Sequence, residues 1–308
     1  MPVRDLALLK LGFQKSGEAA VVRVEELGTI NPITVEASEP LMVAAAMMKR
    51  HRIHHLPVVA KGCMIGMLSA RDLVGMAPEI ANRKGKPARP ERPLDPDHQL
   101  KVTDVYSAHV CSISCETTIH RAAWLMYHHK IRSLPLIRDH RVVGILTDSD
   151  LLRACISGIP RVAGTDPTVV WRHSPVADFM TAKVQTVEPT ASVLHAWMLM
   201  REHDVSHLAV MRNDGLDLVS GIVSDDDVDY ALRESQTDND SARVPAAPPR
   251  MSLSEIMTRE VVVIGKYAKL TQAAEIMLSN DIAALLVMDS CLEGIITRRD
   301  LLRALVTA

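Results

Sequence analysis

Apolar residues recur along this chain on a grid that repeats four times. Anchors at Val24, Val102, Val176 and Leu253 are each followed 17 positions later by a second apolar residue, Leu41, Ile119, Val193 and Leu270. Counted from these, position +3 holds Ala44, Ala122, Ala196 and Ala273. Position +4 holds Ala45, Ala123, Trp197 and Ala274, and position +7 holds Met48, Met126, Met200 and Met277. Positions 0, 3, 4 and 7 form one stripe of an α-helix, which returns to the same face about every 3.6 residues. The small alanines let that stripe approach a sheet closely. Start signals precede three of the helices, at Ser38-Glu39-Pro40, Thr117-Thr118 and Thr190 to Ser192, where a hydroxyl or a proline suits a helix entry. The fourth copy has Lys269 in that place and is the weakest start.

Beyond the helix the grid continues with Ile53, Ile131, Val205 and Ile282 at +12 and with Leu56, Leu134, Leu208 and Leu285 at +15. The runs that follow, Leu56-Pro57-Val58-Val59 and its three counterparts, are too short for helices and predict buried strands. A turn and another strand come next. That strand ends in Gly66-Met67-Leu68-Ser69-Ala70-Arg71-Asp72, then Gly144 through Thr147 to Asp150, Gly221 through Ser224 to Asp227, and Gly294 through Thr297 to Asp300. Each reads Gly, two apolar residues, Ser or Thr, two variable residues, Asp. The glycines lie 78, 77 and 73 residues apart. A short helix is predicted to open at each Ser or Thr. A first short strand is predicted near 33–35, 110–113, 184–187 and 261–264.

One unit is therefore β-α-β-β-α, an α/β repeat spanning 24–78, 102–156, 176–233 and 253–308. An N-terminal extension covers 1–23. Linkers rich in Pro, charge and small polar residues cover 79–101, 157–175 and 234–252. A unit this small buries too little surface to be secure alone, so the repeats are expected to pair.

Composition narrows the classes. Aromatic residues make up 3% of the chain, so the core is aliphatic, with 16 Met as gap-fillers. The formal charge of −2 and the scarcity of aromatics speak against a nucleic-acid surface or a stacking platform. The basic run from Lys84 to Arg92 reads as a solvated linker, with an anionic partner as the alternative. No apolar run approaches the roughly 20 residues that span a bilayer, so no membrane association is expected. Five cysteines without a CxxC spacing fit free thiols in a reducing cytoplasm. The adjacent pairs His54-His55 and His128-His129 suggest no metal site, because neighbours on a strand face opposite ways. There is no GxGxxG, GxxxxGK[ST], HExxH or GxSxG, and the acids sit at repeated rather than unique positions. An enzyme is not expected.

Four Gly-apolar-apolar-Ser/Thr-x-x-Asp motifs in register, each after a Leu-Pro-Val-type strand and an Ala-Ala-x-x-Met helix, resemble CBS (cystathionine-β-synthase) domains. The resemblance covers nearly everything from Val24 to the C-terminus apart from the linkers. It implies that two repeats pair across a pseudo-twofold axis into a Bateman module, here roughly 24–156 and 172–308, and that two modules stack as a disc. It implies ligands such as AMP, ADP, ATP or another adenosyl compound held between paired repeats, with no cofactor required. It also implies a separate regulated protein as partner, and a cytoplasmic monomer or homodimer.

By the same resemblance the motif Asp takes ribose hydroxyls and the Ser or Thr takes phosphate. This assigns Ser69 and Asp72, Thr147 and Asp150, Ser224 and Asp227, and Thr297 and Asp300 as nucleotide-binding residues. The chemistry is sound: a carboxylate accepts two bonds from a cis-diol, and a hydroxyl at a helix start sits among free amides that favour phosphate. A capping box, in which the hydroxyl and the acid satisfy the helix end, explains the same spacing, and the two roles are compatible. Basic residues near the motif rank the sites. Arg298 makes the fourth loop the most basic, with Arg299 beside it, and Arg71 serves the first. Asp225-Asp226-Asp227 predicts a third site empty of anions or dependent on a divalent cation. Residues just before the Leu-Pro strand are also implied to reach phosphate: His54 and His55, Arg132 with Ser133, and Ser206 with His207. The fourth copy departs with Ala283-Ala284.

Overall fold

The computed structural model describes residues 23–74, 100–158, 168–212, 218–237 and 251–307. The N-terminal extension and most of the three linkers, including the basic run from Lys84 to Arg92, lie outside the described residues. The first repeat contains β1 (Thr29–Ile30), β2 (Val35–Glu36), α1 (Leu41–His51), β3 (His55–Ala60), β4 (Cys63–Ser69) and α2 (Ala70–Val74). The second contains β5 (Ile113–Ser114), α3 (Ile119–His129), β6 (Ser133–Arg138), β7 (Arg141–Thr147) and α4 (Asp148–Ser157). After α5 (Thr168–His173) the third contains β8 (Thr186–Val187), α6 (Val193–Glu202), β9 (His207–Met211), β10 (Val219–Ser224) and α7 (Asp225–Thr237). The fourth contains α8 (Leu253–Ile256), β11 (Val263–Ile264), α9 (Leu270–Ser279), β12 (Ala284–Met288), β13 (Leu292–Thr297) and α10 (Arg298–Thr307).

Two compact units divide the described residues, one holding 23–70 and 100–169, the other 71–74 and 170–307. Within each repeat the short strand just before the long helix (β2, β5, β8, β11) runs parallel to the Leu-Pro-type strand, which pairs antiparallel with the strand ending at the motif. The helix between them buries the predicted stripe: Leu41, Ala44 and Met48 in α1, and Leu270, Ala273, Ala274 and Met277 in α9. Leu56, Leu134, Leu208 and Leu285 are all 0% exposed, and burying each such side chain contributes about 1.5–3 kcal/mol.

Repeats pair by exchanging lead-in segments. Thr29 of β1 lies against Ile145 on the last strand of repeat 2, and Ser107 lies against Met67 on the last strand of repeat 1. In the second unit Thr181 of repeat 3 bridges Ile295, and Thr258 of repeat 4 bridges Ile222. Each crossing falls one residue after the motif glycine, which explains the glycine. A Cβ at Gly221 would stand 2.8 Å from the Thr258 carbonyl and 2.9 Å from the Met257 sulfur; one at Gly294 would stand 2.8 Å from the Met180 sulfur. The segment leading into the sister repeat also braces helix entries, with or without a side-chain cap: the first helical amides of Leu41, Val193 and Leu270 donate to the carbonyls of Leu100, Met251 and Ser174, although Pro40 and Lys269 provide no side-chain cap. Where Thr118 and Ser192 stand at the same place, their hydroxyls accept from Arg121 and His195, as expected of N-caps.

Candidate functional site at the Ser/Thr-x-x-Asp motifs

Each motif lies where the last strand of a repeat turns into its closing helix. In three of them the capping box is complete. Thr147 donates to Asp150 Oδ2 from its amide at 2.8 Å and its hydroxyl at 2.7 Å, and the amide of Asp150 donates back to the hydroxyl at 3.3 Å. Ser224 and Asp227 repeat this at 2.8, 2.6 and 3.2 Å. Thr297 and Asp300 do so at 2.9, 2.7 and 3.3 Å. Oδ2 of each acid is thus committed to the helix start, and Oδ1 is the oxygen left for anything else. In the first repeat Ser69 ends β4 and Asp72 lies half-buried on α2; the side chain of Arg71 lies outside the described residues.

Strand pairing brings a second group to three of the motifs. His55 is opposite Ser69, Ser133 opposite Thr147, His207 opposite Ser224 and Ala284 opposite Thr297. Directly opposed residues in an antiparallel pair share a face, with Cβ atoms about 5 Å apart. His207 also holds Ser206 Oγ at 2.9 Å through Nδ1. The preceding residue serves the backbone instead. The carbonyls of exposed His54, Arg132, Ser206 and Ala283 accept from the amide just after the motif Ser or Thr.

Arg298 corrects the sequence reading. Expected at a phosphate, it is 5% exposed. Its Nε donates to the Ile282 carbonyl at 2.9 Å and its Nη2 to the Met277 carbonyl at 3.1 Å, with Asp281 3.6 Å away. The side chain folds back to seal the C-terminal end of α9, where carbonyls lack helical partners. Arg132 is partly committed as well: its Nε lies 2.8 Å from Asp148 Oδ2, and that carboxylate is only 5% exposed. Asp148 therefore faces an arginine rather than a ligand. The three acids of repeat 3 do not converge; among the described residues no group of three or more His, Cys, Asp or Glu could hold a metal.

Sequence reasoning missed one class of residue. Arg153 Nη1 lies 3.4 Å from Asp150 Oδ1, and Arg303 Nη2 lies 3.4 Å from Asp300 Oδ1. Both are three residues past the motif acid, one helical turn on, which is the spacing at which side chains meet. Repeat 3 has Tyr230 there. Asp227 Oδ1 accepts no hydrogen bond among the described residues. Beside Arg153 a cavity of about 330 Å³ opens, lined by Glu26, Leu27, Asp150 and Ala154 among others. Burial pushes the Asp300 carboxyl above its ordinary range, against the bonds from Thr297 and the charges of Arg303 and Arg299, which act the other way. Burial likewise raises the Cys111 thiol, while Cys115 is buried outright.

A family model described as CBS domain matches residues 24–78, 102–157, 176–234 and 253–307. The CBS domain-containing protein YhcV of Bacillus subtilis is 32% identical over 128 residues, 42% of this chain and 81% of that one. Protein MJ1225 of Methanocaldococcus jannaschii is 23% identical over 282 residues, 88% of this chain and 94% of the relative. Its crystal structure, presented as a candidate archaeal homolog of g-AMPK, matches with a TM-score of 0.66 over 92% of this chain and 99% of that chain. An uncharacterized conserved protein from Pyrococcus horikoshii matches with a TM-score of 0.59 at 21% identity, over 92% of this chain and all of that one. At these identities the two structures speak for the fold.

Proposed function

The chain belongs to the CBS domain family, and from that premise we propose that it is a regulatory protein, not an enzyme. In this reading its paired repeats bind an adenosyl ligand and pass a change of shape to a separate target. The observation that carries the reading is the division of labour within three motif acids, Asp150, Asp227 and Asp300: Oδ2 holds the cap, so the helix start is built without a ligand, and Oδ1 takes no part in it. A ribose cis-diol supplies the hydroxyl donors such an oxygen takes. At repeat 3 Asp227 Oδ1 accepts no hydrogen bond among the described residues; the Ser224 hydroxyl proton is held by the cap, and the His207 imidazole across the strand pair is the group placed to meet a phosphate. In repeat 1 His55 likewise stands opposite Ser69. Thr147 with Asp150 and Thr297 with Asp300 supply the remaining two, and Arg132 offers the uncommitted edge of its guanidinium.

A ligand in such a site shifts shape only through its differential affinity for two arrangements of the pair, and the exchanged lead-in segments are the parts that two arrangements would move. The expected ligands are AMP, ADP, ATP or another adenosyl compound, and the target is a separate protein. Titration calorimetry with AMP, ATP and S-adenosylmethionine tests this, alongside native mass spectrometry of the purified protein. Saturable heat with at least one of the three, or a retained adenosyl mass, is expected. A protein that is silent to all three and carries no added mass is an adaptor. The completeness of the caps without any ligand favours that second reading.

A further inference from the structure

Asp300 differs from the other motif acids in what its second oxygen reaches. The nitrogen Nη2 of Arg303 lies 3.4 Å from Asp300 Oδ1 and donates to the carbonyl of Phe179 in the lead-in of repeat 3. Phe179 closes the turn Val176–Asp178, its amide bonded to Val176 at 3.0 Å. Two residues on, Thr181 exchanges bonds of 2.8 and 3.0 Å with Ile295 of β13. That strand runs directly to Thr297, and Thr297 caps Asp300. The contacts close a ring: acid, arginine, lead-in, strand, cap, acid.

We propose that Arg303 couples occupancy of the repeat-4 site to the lead-in strand of repeat 3. The proposal rests on the reading that a ribose hydroxyl donates to Asp300. Because Oδ2 is held by the cap, an incoming hydroxyl takes Oδ1, the oxygen that attracts Arg303. A shared carboxylate holds the guanidinium less firmly, and the bond to a neutral carbonyl alone is the weaker anchor. The lead-in then loosens where it crosses Ile295. By reciprocity, a loosened lead-in favours the ligand. Repeat 2 has the arginine without the wire: among the described residues Arg153 makes no bond to Leu27, the counterpart of Phe179, and a cavity lies between them. Repeat 3 has Tyr230 instead of the arginine.

Hydrogen exchange read on peptides covering Phe179–Thr181 and Ile295 tests the coupling in the full chain, with AMP as the probe. Without ligand, Arg303→Met is expected to speed exchange there roughly threefold or more, since a charged donor to a buried-edge carbonyl is lost. In the wild type, saturating AMP is expected to speed the same amides. In Arg303→Met it should add nothing further, and Arg303→Lys, which keeps a cation, should fall between. The coupling is overturned if AMP binds and the wild-type amides do not respond, or if Arg303→Met responds to AMP as the wild type does. If AMP produces no binding heat in the wild type, the ribose reading fails first and the coupling with it. If Arg303→Met does not fold, Arg303→Lys alone decides: a ligand response equal to wild type there counts against the coupling.

Discussion

Asp227 in repeat 3 and Asp300 in repeat 4 occupy equivalent places, and each accepts from the amide and hydroxyl of the residue three before it at 2.6–2.9 Å. Around that shared cap the chemistry diverges. His207 stands across the strand from Ser224, Tyr230 lies one turn past Asp227, and Asp227 Oδ1 accepts no hydrogen bond among the described residues. Ala284 stands across the strand from Thr297, and Arg303 lies one turn past Asp300. The comparison shows that the motif by itself is a way of starting a helix, and that its neighbours decide whether an oxygen is spare. It also shows that loop charge and the surroundings of the acid vary independently. The most basic loop, Arg298-Arg299, has its first arginine buried against backbone, whereas in the most acidic loop Asp227 Oδ1 accepts no hydrogen bond among the described residues.

The largest effects are expected where the two repeats grip each other. Gly221→Val and Gly294→Val should each cost about 2–3 kcal/mol or more in thermal or urea unfolding, because the new side chain meets the sister repeat's lead-in. Gly265→Ala, whose Cβ meets nothing within 4 Å, should be near neutral and serves as the control. Equal effects at all three would remove the packing account of the motif glycine. Next comes Arg298→Met, expected to cost about 1–3 kcal/mol by removing the guanidinium that donates to the Ile282 carbonyl and shares the Met277 carbonyl with the Ile282 amide. Calorimetric nucleotide affinity should stay as it was, and a large loss of affinity in a stably folded Arg298→Met would restore the phosphate role.

A smaller effect concerns Asp300 and pH. Asp300 has a folded-state carboxyl raised above its unfolded value by burial. Such a group stabilises the fold fully below its unfolded pKa and loses that contribution as pH rises through the folded pKa. Wild type should therefore gain stability relative to Asp300→Asn as pH falls from neutral through the range just above ordinary carboxylates. A gap between the two melting curves that stays constant with pH would contradict the burial. The smallest change is Tyr230→Arg, which places in repeat 3 the arginine of repeat 4. It should add about 0.5 kcal/mol or less through a pair with Asp227, and it should weaken nucleotide binding a few-fold by engaging Oδ1.

Much of this architecture was legible in the sequence because it repeats. The helix stripe at Leu41, Ala44 and Met48 and the buried Leu56 follow from spacing alone, and four copies in register fix the strands between them. The exchange of lead-ins was not legible, since Thr29, Ser107, Thr181 and Thr258 look alike whichever repeat they pair with, and the glycines at Gly66 and its counterparts gain their reason only from the observed crossing. Charge was the least reliable guide. Arg298 reads as a surface cation until its guanidinium is seen donating to the Ile282 and Met277 carbonyls. Arg303 carries its signal in the one-turn spacing from Asp300, but its reach to Phe179 depends on a contact 124 residues away in the chain.

The central claim is that the motif acid caps its helix with one oxygen and serves a ligand with the other. Asp227→Asn probes it most directly, because the amide keeps an oxygen for the cap and offers NH2 where a hydroxyl needs an acceptor. Calorimetric titration of that variant with the adenosyl compound that binds the wild type is expected to show a folded protein that has lost a binding equivalent, or about tenfold in affinity. An isotherm superimposable on the wild type's would contradict the account.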